Sequence, residues 1–188
     1  MVLEALRKIY LFLVDIIQTL LLAAAVFLVI YVFLFRPFQV NGNSMYPNFY
    51  DREYVLTNII ALHFENPKLG DVVVFKSPVD PEKDFIKRVI GTPGDTILIK
   101  NGEIYINGKL LDESAYLNPS VKTYAGSFIK GDKEVKAEED EFFVLGDNRS
   151  NSSDAREWGF VPKKSIIGKS FFIYWPPKSI GFVKNPYD

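Results

Sequence analysis

The chain has 188 residues, with 22 lysines and arginines against 23 acidic residues and a formal net charge of -1. That balance supplies no basic field to hold nucleic acid, and the absence of cysteine rules out disulfides and thiolate metal sites. A single histidine, His63, excludes imidazole-rich zinc sites and reads as a loop or packing residue; with no cation-binding loop motif either, neither metal nor cofactor is expected.

From Ile16 to Phe35 no charged side chain occurs. Some 20 residues at about 1.5 Å each span about 30 Å as a helix, the thickness of a hydrocarbon core. Leu20 to Ile30 is apolar on every face, unlike the one-sided stripe of a helix lying on a soluble domain. Phe35-Arg36-Pro37-Phe38 follows where a cleavable leader would place small residues, so 16–35 reads as an uncleaved transmembrane signal anchor. Arg7, Lys8 and the terminal amine, weighed against Arg36 and Arg52, favour by a small margin a cytoplasmic segment 1–15.

Beyond residue 36 strand signals dominate. Gly70 opens the buried run Asp71-Val72-Val73-Val74-Phe75. Asn101-Gly102 and Asn107-Gly108 punctuate alternating runs at the spacing of tight primed hairpins, predicting a β-meander. Phe142 to Leu145 and Ser170 to Trp175 supply later strands, so the fold is expected to be mainly β in one domain, 36–188. Within it, 101–141 is expected to be an inserted β cap. Its part from Asp112 to Glu141 is polar and mixed in charge, and reads as a peripheral, solvated insertion.

Three segments carry possible chemistry. Ser44, amid Gly42, Asn43 and Pro47, reads on its own as a turn residue and needs a partner to be a nucleophile. In Asp84-Phe85-Ile86-Lys87-Arg88-Val89-Ile90-Gly91 strand alternation puts Lys87 on the face of Phe85 and Val89, and Arg88 on that of Ile86 and Ile90. Of the two, only lysine can become neutral near pH 7 on burial, which makes Lys87 the candidate base; the competing reading is a strand lysine whose head reaches water. Gly146 to Arg156 then packs Asp147, Asn148, Arg149, Ser152, Asp154 and Arg156 into one turn, dense enough for a hydrogen-bonded scaffold.

Together these segments resemble the type I signal peptidases, membrane-bound Ser/Lys endopeptidases that remove signal peptides from exported proteins. The resemblance rests on Ser44-Met45-Tyr46-Pro47, Gly70 to Phe75, Lys87-Arg88-Val89-Ile90-Gly91-Thr92-Pro93-Gly94-Asp95, and Gly146-Asp147-Asn148-Arg149 followed by Ser152, Asp154, Arg156 and Trp158-Gly159, in that order. It implies a β-rich catalytic core with an inserted cap, outside the cytoplasm on a single-pass plasma-membrane anchor. It also implies signal peptides with small residues at -1 and -3 as substrates, and an acyl-enzyme route. By the same resemblance Ser44 is the nucleophile, Lys87 the general base and Ser152 the hydroxyl that orients the amine. Asp147, Asp154, Arg156 and Arg88 are supporting residues, and Gly42, Ser44 and Met45 surround the oxyanion and substrate.

The sequence departs from the family at three places: Gly42 where some relatives carry a hydroxyl donor, Asn48-Phe49 for Ser/Thr-Leu, and Ala155 for a frequent serine. The glycine leaves the second oxyanion donor unidentified and keeps open a non-catalytic, membrane-tethered β module or degenerate peptidase. A self-cleaving repressor-type protein with a Ser/Lys pair is disfavoured by the apolar N-terminal segment. Phe38, Met45, Tyr46, Phe49 and Tyr50, near the anchor's exit, are expected either to dip into lipid headgroups or to pack in the core.

Overall fold

The computed structural model describes residues 2–188. Helix α1 (Val2–Leu34) is the one helix long and apolar enough to cross a membrane among the described residues, and its stretch Val2–Val29 is uncovered by the rest of the protein. It starts well before Ile16. Glu4 stands three and four residues before Arg7 and Lys8, a spacing that supports helix, so the charged segment continues the same rod. Phe35, expected at the end of the anchor, is instead the first residue of strand β1 (Phe35–Gln39). No residue separates helix from strand, and the Leu34 carbonyl accepts a hydrogen bond from Ile59 N–H at 3.2 Å.

After β1 come β2 (Tyr54–Asn58), the short helix α2 (Ala61–Phe64), β3 (Val72–Lys76) and β4 (Asp84–Gly91). The meander follows as β5 (Thr96–Lys100), β6 (Glu103–Ile106) and β7 (Lys109–Leu110), then β8 (Val135–Lys136) and β9 (Glu141–Leu145). The chain closes with α3 (Ala155–Trp158), β10 (Val161–Pro162), β11 (Ile166–Trp175) and β12 (Gly181–Phe182). The protein is therefore mainly β, as expected. Eight strands form one antiparallel sheet in the order β1-β2-β11-β3-β4-β9-β10, with β12 on β11; β7-β6-β5-β8 form a second.

Both Asn-Gly pairs make the hairpin turns their residues favour. Asn101 and Gly102 take φ of 54° and 80°, Asn107 and Gly108 51° and 76°, the left-handed pairs of a primed turn matched to strand twist. The second sheet starts at Thr96 rather than 101, because β5 supplies the partner for β6. It shares a core with the large sheet in which Ile90, Ile97, Ile104, Phe143 and Leu145 pack together.

The 112–141 stretch is less peripheral than its composition implies. Lys130 to Glu134 is exposed as expected, but Ile129 and Ala137 enter that shared core and Tyr116, Leu117 and Thr123 are buried. Buried positions scattered among charges leave no periodic trace, so local polarity misleads here. Of the cluster expected either at headgroups or in the core, Met45 and Phe49 take the core, packing with Val40, Val55 and Val72, and are essentially inaccessible; Tyr46 and Tyr50 are exposed.

Candidate active site

Ser44 lies in the turn joining β1 to β2. The turn is closed by Val40 N–H to Glu53 carbonyl at 2.7 Å and Arg52 N–H to Val40 carbonyl at 2.8 Å, and pinned by the buried side chains of Met45 and Phe49. Gly42 takes φ of 87°, where a side chain is strained, and spends its own N–H on Asp51 Oδ1 at 2.7 Å. It therefore offers no free donor to the cleft. Met45, expected at the substrate, points into the core instead. The Ser44 N–H donates to no other group among the described residues.

Lys87 reaches this turn from β4, where it pairs with Val73. Its side chain is 4% exposed, and Nζ lies 2.8 Å from Ser44 Oγ, 3.0 Å from the Ile86 carbonyl and 5.1 Å from the Phe85 ring centroid. Burial lowers its pKa from 10.5 to about 8, against the opposing pull of the Asp154 and Asp147 carboxylates. The amine is thus held near the point where it can give up its charge. The pair faces a cleft of about 260 Å³ walled by Phe38, Val40, Val55, Val74 and Ile86.

Arg88, the next residue, projects to the other face and is also buried, which the strand alternation allowed. Its Nε and Nη2 donate to the two oxygens of Asp147 at 2.9 and 2.7 Å, and its Nη1 to the Gly70 carbonyl at 2.9 Å. Asn48 Nδ2 completes the same carboxylate at 2.8 Å. Its side chain thus closes a polar network at the position where the family pattern has Ser/Thr. Asp154 caps α3, grips Arg156 at 2.7 and 2.9 Å, and receives the Gly146 N–H at 3.1 Å. These two fully buried carboxylates fix both ends of the Gly146 to Arg156 turn.

The turn in its turn holds the nucleophile. Asn148 N–H donates to the Ser44 carbonyl at 3.0 Å and its side-chain amide to the Asn43 carbonyl at 2.9 Å. Gly146 lies so close that a Cβ there would strike Ser152 Oγ and the Ser44 carbonyl. Ser152 Oγ is buried beside Gly146 and has no hydrogen-bond partner among the described residues; the hydroxyl expected to orient Lys87 is not hydrogen-bonded to it.

The sequence placed Arg149 in the scaffold of its own turn, but Glu113, Tyr116 and Thr123, which it meets, were overlooked. Arg149 donates to both oxygens of Glu113 at 2.5 and 3.0 Å, to Thr123 Oγ1 at 2.5 Å and to the Gly146 carbonyl at 3.0 Å. Tyr116 hydroxyl donates to Glu113 at 2.5 Å. A buried charge pair thus ties the 112–141 stretch to the loop that positions Ser44. The one local signal was the spacing of Glu113 and Tyr116, one turn apart. No three histidine or carboxylate side chains are grouped to hold a metal among the described residues.

The sequence profile described as signal peptidase, peptidase S26, matches residues 13–175. Signal peptidase IB of Staphylococcus aureus is 35% identical over 92% of this chain and 96% of its own length. Signal peptidase I of Bacillus amyloliquefaciens is 36% identical over 85% and 86%. A crystal structure of a signal peptidase I from Enterococcus faecalis aligns at a TM-score of 0.44 and 28% identity, over 56% of this chain and 97% of that one. With a profile running from inside the N-terminal helix to the end of β11, the chain belongs to the S26 family of signal peptidases.

Proposed function

We propose that this chain is a membrane-anchored serine endopeptidase that removes signal peptides from exported preproteins, with Ser44 as nucleophile and Lys87 as general base. One observation carries the reading: a serine hydroxyl 2.8 Å from a lysine amine that burial has brought to a pKa of about 8. Lys87 takes the Ser44 proton as Oγ attacks the scissile carbonyl, then delivers it to the departing amine as the C–N bond breaks. The resulting ester is cleared by water, which gives its proton to the same amine while its oxygen attacks; collapse regenerates Ser44. The free Ser44 N–H supplies one oxyanion donor, a contribution of about 3 to 4 kcal/mol in comparable sites.

The cleft's small volume, with Phe38, Val40, Val55, Val74 and Ile86 among its walls, favours short apolar side chains before the cut. Helix α1 serves as the single membrane-crossing anchor, with the β domain on the outer face of the cell membrane.

The test is cleavage of a preprotein with small residues at -3 and -1 by the detergent-solubilised full chain, followed across pH. Because neutral Lys87 is the active form, kcat/KM should climb about tenfold per pH unit below about 8 and level off above. A rate flat from about pH 6 to about pH 9 would exclude Lys87 as the base. In the same assay Gly146→Ala is expected to lower kcat about 100-fold by displacing the Ser44 carbonyl. Wild-type turnover in that variant would show that the turn tolerates displacement.

A further inference from the structure

Two clefts border the loop from Asn148 to Ser153. The cleft of Ser44 and Lys87 is lined by the segment from Phe38 to Ser44, by Val55 and Val74 and by Asp84 to Lys87, and is bordered on this loop by Asn151 and Ser153. The second, about 530 Å³, begins beyond Met45 at Tyr46 and is bordered by Asn148 and Ser150, with Leu117, Val121 and Tyr124 as its far wall.

A polypeptide cut at Ser44 must continue past the nucleophile on both sides. The cleft beside Lys87 receives the acyl half, so the half that bears the leaving amine needs a separate path. From the geometry we infer that this second groove binds the carboxyl side of the scissile bond, the first residues of the mature protein; the inference rests on the peptidase reading above. Both clefts border one loop, and that loop is already bonded to the Asn43 and Ser44 carbonyls.

The far wall is built to stay in place. Thr123 is buried, donates its N–H to the Gly102 carbonyl at 2.9 Å and accepts from Arg149; the next carbonyl, of Tyr124, accepts from Arg156 at 3.4 Å. Yet the Tyr124 side chain is 70% exposed and Tyr46 across the groove 48%. Exposed aromatic rings on a fixed backbone offer contact area with little ordering cost, which suits an extended segment carrying an apolar or aromatic side chain.

The experiment compares two soluble peptides that share the residues before the cut, one ending two residues past it and one six residues past it with an aromatic in the added stretch. With the full chain in detergent, the extension is expected to raise kcat/KM about tenfold, mostly through KM. Tyr124→Ala should erase that gain and leave the short peptide's rate unchanged. No gain on extension, or a gain kept in both Tyr124→Ala and Val121→Ser, would overturn the inference while the short peptide's cleavage preserves the peptidase reading. Loss of liposome affinity in Tyr124→Ala with peptide discrimination intact would give the groove to the bilayer and also overturn it. If neither peptide is cut, the peptidase reading fails first and the groove's role falls with it.

Discussion

Ser44→Ala and Lys87→Met are each expected to abolish preprotein cleavage, a fall of about 10⁴-fold or more in kcat, as when either member of a nucleophile and base pair is removed. The two losses should not add, because either change leaves no activated hydroxyl. Stability separates the variants. A shift from 10.5 to about 8 corresponds to about 3 kcal/mol of cost for the buried ammonium. Below about pH 8 both folded and unfolded chains carry the charge, so the folded state bears the full cost. As pH rises from about 8 towards 10.5, only the unfolded chain still holds the proton and stability recovers. Lys87→Met, isosteric and uncharged, should therefore melt several degrees higher than wild type at pH 7, with the advantage fading above about pH 10. Full activity in Lys87→Met, or a melting temperature below wild type at every pH, would contradict this account of the amine.

Asp147→Ala should produce the largest loss of stability. It strands the Arg88 guanidinium, 3% exposed, without its bidentate partner and takes from Asn48 one of its two hydrogen bonds, leaving the one to the Tyr116 carbonyl. Breaking one side of such a pair costs about 3 to 5 kcal/mol, a fall in melting temperature of about 10 °C or more for a chain of this size. The double variant Arg88→Met, Asp147→Leu removes both charges and should regain most of the loss, since an apolar pair of similar volume is often neutral. Thermal denaturation of the three proteins decides the matter; equal melting points for wild type and Asp147→Ala would mean that water replaces the carboxylate.

The elements whose periodicity is local were readable before any coordinates. The apolar helix, the two Asn-Gly hairpins and the opposite faces of Lys87 and Arg88 all follow from residue spacing alone. What escaped depends on contacts across long stretches of chain. Arg149 meets Glu113 across 36 residues and Asn48 meets Asp147 across 99, and nothing near either residue announces its partner. The boundary of the anchor was misplaced for a related reason: Phe35 is as apolar as the helix before it, and only its pairing with Asn58 turns it into strand. Met45 and Phe49 show the same ambiguity, since an apolar residue next to a membrane segment reads equally well as core or as lipid contact.

The direct passage from α1 into β1 has a mechanical consequence. On the anchoring proposed above, the domain would hang from an edge strand with no slack; the Leu34 carbonyl, bonded to Ile59, stiffens the joint further. Five extended residues cover only about 17 Å, which on that proposal would keep the Ser44 hydroxyl at a nearly constant altitude over the bilayer. A mount of that kind would act as a gauge, a scissile bond being accepted or passed over partly by how far its own hydrophobic segment lets it rise.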